Sequence, residues 1–201
     1  MNSSSEPRVL AIILNFRTPE MTLQAAEAAR VAMQEVAGEI LVIDNGSDDG
    51  SYESICAAAR ERGWLEDGRL RVVASSVNGG FGAGCNIGLK AHLADGSRPD
   101  FFYLLNSDAF VRPDTIALLR DFLVQTPQAG LVGSRVCGVD GEEHVTAFRF
   151  PSIASEFEGS VNTGIVTRFL KNAVVPLGMP EHPTRVDWTA GASMMIRREV
   201  I

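Results

Sequence analysis

The segment FFYLLNSDAFVRPD (101–114) places polar side chains directly after a strongly apolar run. Five large apolar residues predict a buried strand, and Asn106, Ser107 and Asp108 follow it without a turn residue between. A carboxylate is retained at the tip of a core strand when a partner compensates for its desolvation. Hard cations such as Mg²⁺ or Mn²⁺ take oxygen ligands and share them with a substrate's phosphates. Asp108 is therefore the predicted metal ligand, with capping of the next turn as the structural alternative.

A second carboxylate, Asp44, ends another apolar run in VIDNGSDDGS (42–51). Asp48 and Asp49 fit the ordinary role of aspartate in turns and at helix N-termini. Asp44 fits that role less well, because it follows the strand rather than the turn. Its carboxylate could accept the ring N–H of a bound uracil or thymine.

The stretch NGGFGAGCNIG (78–88) contains five glycines between a predicted strand and a predicted helix. Glycines let backbone amides approach an anion at a helix N-terminus, which favours a phosphate site. A flexible loop and close helix–strand packing are the structural alternatives. A dinucleotide fingerprint is disfavoured, because the stretch does not follow the first strand and its first glycine comes several residues after its own strand.

Strands and helices alternate along the chain, which predicts a doubly wound, mostly parallel α/β sheet with helices on both faces. In such sheets ligands bind outside the carboxyl ends of the strands. Asn15, Asp44, the Gly-rich stretch and Asp108 all lie at predicted carboxyl ends. The predicted strands are 9–14, 40–43, 70–74, 101–105, 131–136 and 192–196, and the predicted helices are 19–37 (capped by Thr18), 52–62, 85–94 and 113–125.

Composition narrows the function classes. The 201 residues carry a formal net charge of −7, which disfavours coating of nucleic acid through bulk charge. Three widely spaced cysteines predict buried free thiols and a reducing compartment, rather than a disulfide framework or a zinc site. No apolar run approaches the roughly 20 residues of a membrane span, so no transmembrane segment is predicted.

Three segments together resemble glycosyltransferase family 2, and the resemblance covers nearly the whole chain. They are a strand that ends in Asp, a loop of the form N-G-G-F-G-x-G-x-N-x-G, and a strand that is followed by N-S-D. The closest resemblance is to the bacterial branch with rhamnosyltransferases and other cell-surface polysaccharide enzymes. It implies the GT-A fold, with a Rossmann-like nucleotide-binding core. It also implies inverting transfer of a sugar from a UDP- or dTDP-sugar to a saccharide or lipid-linked acceptor, with Mg²⁺ or Mn²⁺. The implied location is cytoplasmic, with peripheral attachment at the inner face of the membrane as an option.

The resemblance also implies roles for individual residues. Asn106 stands where the family's DxD motif has its first Asp, so Asp108 becomes the metal carboxylate, and Trp188 is a candidate for stacking on a sugar ring. Asn106 could contact the ribose or metal-bound water, and Ser107 is also nucleotide-binding. The other implied assignments are Asn15 and Arg17 bordering the nucleotide, Asp44 on the base, Asn78, Gly79 and Asn86 at the diphosphate, and Gly191 and Ala192 on the acceptor side.

Three segments are expected: a disordered leader (1–7), a nucleotide-sugar-binding core (8–138) and an acceptor-side segment (139–201). An inverting transfer needs a general base. The family's acidic motif for that role follows the Gly-Ala strand and its Arg-Arg pair, so we expect the base to lie beyond Ile201. The chain then resembles part of a longer enzyme, and on its own it is expected to have little or no transferase activity.

Three other functions remain open at this point. A sugar-nucleotide-forming nucleotidyltransferase shares the architecture, but it is expected to have a Gly-rich, basic signature after the first strand, where ILNFRTPEM has no glycine. A dinucleotide-dependent oxidoreductase is disfavoured by the position of the glycines. A non-catalytic nucleotide-binding module is the third.

Overall fold

The structure is a computed structural model that describes residues 6–138, 140–161, 175–178 and 180–201. Most of the predicted leader therefore lies outside the described residues. Two compact units are distinguished: one is the chain up to Val132 together with Gly191–Ile201, and the other is Gly133–Ala190. The strands are β1 (Val9–Asn15), β2 (Gly38–Asp44), β3 (Leu70–Ala74), β4 (Phe101–Asn106), β5 (Leu131–Gly133), β6 (Val136–Cys137), β7 (Glu143–His144), β8 (Ala147–Phe148), β9 (Trp188–Thr189) and β10 (Ser193–Arg197). The helices are α1 (Pro19–Ala32), α2 (Ser51–Glu61), α3 (Phe81–Leu89), α4 (Thr115–Gln125) and α5 (Ile153–Val161).

A six-stranded sheet has the order β3-β2-β1-β4-β10-β5. β1 pairs in parallel with β2 and with β4, and β2 pairs in parallel with β3. β10 runs antiparallel to β4. The predicted α/β class with a mostly parallel sheet is confirmed.

Helices cover both faces of this sheet, because successive side chains of a strand point to opposite faces. On β1, Val9, Ala11 and Ile13 belong to a core cluster that also contains side chains of α1, α2 and α4. Leu10, Ile12 and Leu14 belong to a second cluster, which contains Cys85 of α3. The six apolar side chains of β1, from Val9 to Leu14, are at most 9% exposed, which explains why the sequence shows a continuous apolar run there.

The sequence predicts a helix over 85–94, but α3 begins at Phe81, inside the Gly-rich stretch, and ends at Leu89. Glycine has low helix propensity, so the sequence indicates a loop. Packing outweighs that propensity here. A Cβ on Gly84 would lie 2.5 Å from the Leu14 side chain, and one on Gly88 would lie 2.6 Å from Ile12. The two glycines, one helical turn apart, let α3 lie close against β1.

Three smaller expectations also differ from the structure. The predicted strand 131–136 is two strands, β5 and β6, separated by Ser134 and Arg135. The sequence over 140–185 has no clean period and predicts long loops or a flap, but its described part contains α5 and the strands β7 and β8, which pair antiparallel with β6 and β9. Cys56 and Cys85 are buried as predicted, but Cys137 is exposed. Among the described residues, no helix is long and apolar enough to cross a membrane.

The central strand β4 carries a buried tyrosine whose hydroxyl links it to β10. Tyr103 is fully buried, and its hydroxyl lies 2.6 Å from that of Ser193. Burial raises the pKa of Tyr103 to about 12, from an ordinary value near 10. A folded-state pKa above the unfolded one adds stability that is full below about pH 10 and disappears as the pH rises towards 12.

We therefore expect the free energy of unfolding to fall by roughly 2–3 kcal/mol between pH 10 and pH 12 through this group alone. Tyr103→Phe removes the ionisable group, so its alkaline decline should be smaller by that amount, at a cost of about 1 kcal/mol at neutral pH for the lost hydrogen bond. Urea unfolding at intervals from pH 9 to 12 measures both curves. Parallel curves for the two proteins would contradict the assignment.

Candidate functional site

The carboxyl ends of β1, β2 and β4 bring polar side chains to one edge of the sheet. In the strand register, Asn15 is opposite Asp44 and Leu14 is opposite Asn106. The three strands lie side by side, so the residues that end them or directly follow them share this edge. The structure thus gathers residues that are 29 to 93 positions apart in sequence.

Asp44 is buried, with 4% of its surface exposed. Its Oδ1 accepts hydrogen bonds from Asn15 Nδ2 at 2.6 Å and from the Ser47 hydroxyl at 2.5 Å. Among the residues that the structure describes, its Oδ2 accepts one hydrogen bond, from the Ser47 backbone N–H at 3.2 Å. A carboxylate oxygen can accept two hydrogen bonds, so Oδ2 retains acceptor capacity for a ligand.

Arg17 adopts a left-handed backbone conformation, with φ of 58°. For a residue with a Cβ this conformation is costly and is often found at functional sites. Its backbone N–H donates to the Ser47 hydroxyl and its Nε to the Ser47 carbonyl oxygen, at 3.0 and 3.1 Å. The guanidinium is also 5.1 Å from the centre of the Phe16 ring. Arg17 forms no ion pair within the described ranges, and the carboxylate that feels its charge is Asp49, whose pKa is held below its ordinary value by the hydrogen bonds from Ser51 and, more weakly, by Arg17.

Hydrogen bonds join the Gly-rich stretch (78–88) to the loop after β2. Asn45 Nδ2 donates to Asn78 Oδ1 at 2.9 Å and to the Gly80 carbonyl at 3.2 Å. Asn78 Oδ1 also accepts the Gly80 N–H at 2.8 Å, which fixes the turn into α3. Gly79 and Asn86 are both exposed, the first before α3 and the second within it. Close packing therefore explains Gly84 and Gly88, while Asn78 and Gly79 stay at the surface beside the start of α3.

The segment after β4 differs from its neighbours because its carboxylate is free. Asp108 is exposed and has no hydrogen bond or ion pair to any residue that the structure describes. Ser107 Oγ lies 3.3 Å from Thr18 Oγ1. Thr18 is the N-cap residue of α1, but its side chain does not make the predicted capping hydrogen bond. Asn106 N–H donates to the Ala192 carbonyl oxygen at 3.0 Å. Asn106 Oδ1 is buried and has no hydrogen-bond partner in the part of the chain that the structure describes.

These groups fit a divalent cation that is shared with a ligand. The described residues contain no cluster of three acidic, histidine or cysteine side chains that could hold a metal ion by themselves. A Mg²⁺ or Mn²⁺ site at this edge would therefore combine the Asp108 carboxylate with phosphate oxygens and water, as hard cations commonly do. Asn106 Oδ1 would need a change of side-chain torsion to reach such an ion, since solvent does not touch it in this conformation.

The candidate acceptor-side residues fall into different units. Gly191 and Ala192 lead into β10, and a Cβ on Gly191 would lie 3.9 Å from the Phe81 ring. Trp188 belongs to the second unit, where it stacks on Phe148 with ring centres 4.1 Å apart. Its Nε1 donates to the Arg149 carbonyl oxygen, and the residue is 42% exposed. One face of the indole is thus covered by Phe148, which limits stacking on a sugar to the other face.

Two buried polar residues of the site were not anticipated from the sequence: Ser47, fully buried, and Asn45, 3% exposed. Both belong to a polar loop, NGSDDG, in which serine and asparagine are ordinary turn formers. Their only distinguishing signal is their closeness to Asp44.

Comparison with known proteins gives the family and supports the fold. The family described as "Glycosyl transferase family 2" matches residues 20–174. S. aureus TarS (residues 1–349) is similar with a TM-score of 0.52 and 19% identity, covering 72% of this chain and 42% of that one. The mannosyltransferase PcManGT from Pyrobaculum calidifontis, solved with GDP-Man and Mn²⁺, has a TM-score of 0.58 and 17% identity, covering 98% and 46%. TarS 1–349 with UDP-GlcNAc has a TM-score of 0.52 and 20% identity, covering 67% and 36%.

The chain spans less than half the length of these solved structures. No curated protein gave a match. At identities of 20% or less the structural neighbours show the fold alone, which is the GT-A fold with a mixed, mostly parallel sheet. The family match covers 155 of 201 residues, from 20 to 174. The chain therefore belongs to glycosyltransferase family 2.

Proposed function

We propose that this chain forms the donor side of an inverting glycosyltransferase. The donor is a UDP- or dTDP-sugar, the acceptor is a saccharide or a lipid-linked saccharide, and the product belongs to a cell-surface polysaccharide made at the cytoplasmic face of the membrane. Residues 8–138 form the nucleotide-sugar-binding core and residues 139–201 contribute to the acceptor side. The observation that carries this proposal is the unpaired Asp108 carboxylate at the end of β4, at the same edge as Asp44 and Arg17.

Different residues of the site bind different parts of the nucleotide. Asp44 Oδ2 accepts the ring N–H of uracil or thymine, since that oxygen has one hydrogen bond from the protein. Arg17 supplies a positive charge for the phosphates. Asn78 and Gly79, before α3, and Asn86, within it, shape the diphosphate pocket, and the backbone amides at the start of α3 attract an anion. Asn106 contacts the ribose or metal-bound water, and Ser107 also borders the nucleotide.

Asp108 would hold Mg²⁺ or Mn²⁺. Such an ion, when bound, stabilises the negative charge that develops on the departing nucleoside diphosphate. The protein's contribution is to fix the nucleotide so that the anomeric carbon faces the acceptor, which lowers the barrier through proximity and orientation. The neighbours solved with UDP-GlcNAc and with GDP-Man and Mn²⁺ support this choice of ligand class.

Binding measurements test the proposal without requiring turnover. We expect UDP or dTDP to bind the chain with an affinity that rises at least about tenfold when Mn²⁺ is added, because the cation joins Asp108 to the diphosphate. Isothermal titration calorimetry with UDP, dTDP, GDP and NAD, each with and without Mn²⁺, measures this. Binding of NAD without metal would instead favour a dinucleotide enzyme, and binding of none of the four would refute the proposal.

A further inference from the structure

Ser47 uses its whole hydrogen-bonding capacity inside the protein. A hydroxyl group provides one donor and two acceptor positions. The Ser47 hydroxyl donates to Asp44 Oδ1 at 2.5 Å and accepts from Asn15 Nδ2 at 3.2 Å and from the Arg17 N–H at 3.0 Å. The residue is fully buried, so it offers nothing to a ligand directly.

Asn15 is saturated in the same way. Its Nδ2 donates to Asp44 and to Ser47, and its Oδ1 accepts from the Thr22 hydroxyl at 2.8 Å and from the Thr18 N–H at 3.3 Å. No surface of Asn15 is exposed. The resemblance placed Asn15 at the border of the nucleotide, but in this arrangement it lies behind Asp44 and can act on a ligand only through that carboxylate.

Ser47 forms hydrogen bonds with Asp44 and Arg17, and both of these residues keep polar atoms that a ligand can use. Asp44 keeps acceptor capacity on Oδ2, and Arg17 keeps its Nη atoms free of ion pairs within the described ranges. Ser47 also stabilises the left-handed backbone of Arg17, whose strain would otherwise favour another conformation. Ser47 thus contacts both groups: its hydroxyl bonds the Asp44 carboxylate and the Arg17 backbone N–H, and its carbonyl oxygen accepts from the Arg17 guanidinium.

We infer that Ser47, supported by Asn15, is a positioning residue that sets the base selectivity of the site. This inference rests on the proposed function: Ser47 fixes the Asp44 carboxylate so that Oδ2 is turned towards the imino N–H of uracil. Uracil carries a hydrogen at N3, whereas cytosine has a lone pair there, which repels a carboxylate. Sites built to hydrogen-bond one group discriminate strongly against an analogue that lacks it.

The test is the ratio of the dissociation constant for CDP to that for UDP, measured in saturating Mn²⁺. Effects of Ser47 on Arg17 and the phosphates are common to both nucleotides and cancel in this ratio. We expect Asp44→Asn to lower the ratio by roughly tenfold or more, and Ser47→Ala by roughly three- to tenfold, since a fixed charge-assisted hydrogen bond is lost. The double variant should lose no more than Asp44→Asn alone, because the two residues act through one contact.

Asp48→Asn is the matched control. Asp48 belongs to the same loop, is exposed, and has a left-handed backbone that asparagine also tolerates, so the ratio should stay unchanged. Should Ser47→Ala fail to fold, as judged by circular dichroism, Thr22→Val tests the same chain of contacts. It removes only the donor to Asn15 Oδ1, and we expect the ratio to fall by about two- to threefold, with folding retained.

The outcomes separate the two proposals. If the unmodified protein binds neither nucleotide with Mn²⁺, the proposed function and this inference both fail. If it prefers UDP and Asp44→Asn removes the preference, but Ser47→Ala and Thr22→Val leave the ratio unchanged, the proposed function stands and the positioning role of Ser47 is overturned. A ratio that falls for Ser47→Ala and not for Asp48→Asn supports the inference.

Discussion

Asp108→Ala should abolish the effect of Mn²⁺ on nucleotide binding while leaving the fold intact. Asp108 is exposed and unpaired to any described residue, so removing its side chain breaks no hydrogen bond or ion pair that holds the protein together. It is also the only carboxylate that directly follows β4. We therefore expect the affinity for UDP or dTDP in Mn²⁺ to fall roughly a hundredfold, to the level of the metal-free protein.

Two further variants sharpen this expectation. Asp108→Asn keeps the shape and removes the charge, and it should lose nearly as much affinity, because Mg²⁺ and Mn²⁺ bind a carboxylate far better than an amide. Asp114→Ala is the control, since Asp114 precedes α4, carries the same charge and makes no side-chain cap. Calorimetric titrations of all three with Mn²⁺ would contradict the metal role of Asp108 if Mn²⁺ strengthened nucleotide binding equally in each.

Gly38→Ala should be the most destabilising of the single-methyl additions considered for this chain. Gly38 begins β2 with φ of 138°, a conformation that residues with a Cβ rarely adopt. An added Cβ would overlap the backbone carbonyl oxygen of Val9 in β1. Backbone atoms of a central strand cannot turn aside as a flexible side chain can, so the strands must separate. We expect a loss of at least about 3 kcal/mol, or about 6–12 °C in melting temperature.

Gly50→Ala separates the clash from the backbone strain. Gly50 also has a positive φ, 84°, but no atom lies within 4 Å of the position of its Cβ. Its substitution should cost only the conformational penalty, about 1–2 kcal/mol. Urea unfolding followed by circular dichroism measures both variants. Equal losses would show that the close approach of Gly38 to β1 contributes nothing to its requirement for glycine.

The parallel sheet could be predicted because its central strands are buried on both faces. β1, β2 and β4 then read as apolar runs, and each run ends at a polar residue, Asn15, Asp44 or Asn106. Because parallel strands end at one edge, their last residues had to be neighbours. That geometric rule is what made the edge of the sheet predictable as the site.

The connections within the site could not be predicted in the same way. Ser47 and Asn45 are turn formers in a polar loop, and only the folded structure reveals which of the loop's side chains are buried. The early start of α3 was missed because the fit of Gly84 and Gly88 against β1 is a tertiary effect, which local propensity does not contain. The position of Asn15 at the end of β1 could be predicted from the sequence, but its complete burial could not.

The most direct measurement is the position of Mn²⁺ in crystals grown with UDP, located by its anomalous scattering. We expect one peak at the carboxyl end of β4, in contact with the Asp108 carboxylate at about 2.0–2.3 Å and with oxygens of the diphosphate, and the uracil ring beside Asp44. A manganese peak away from Asp108, or a nucleotide bound elsewhere on the sheet, would contradict the assignment of this edge as the donor site.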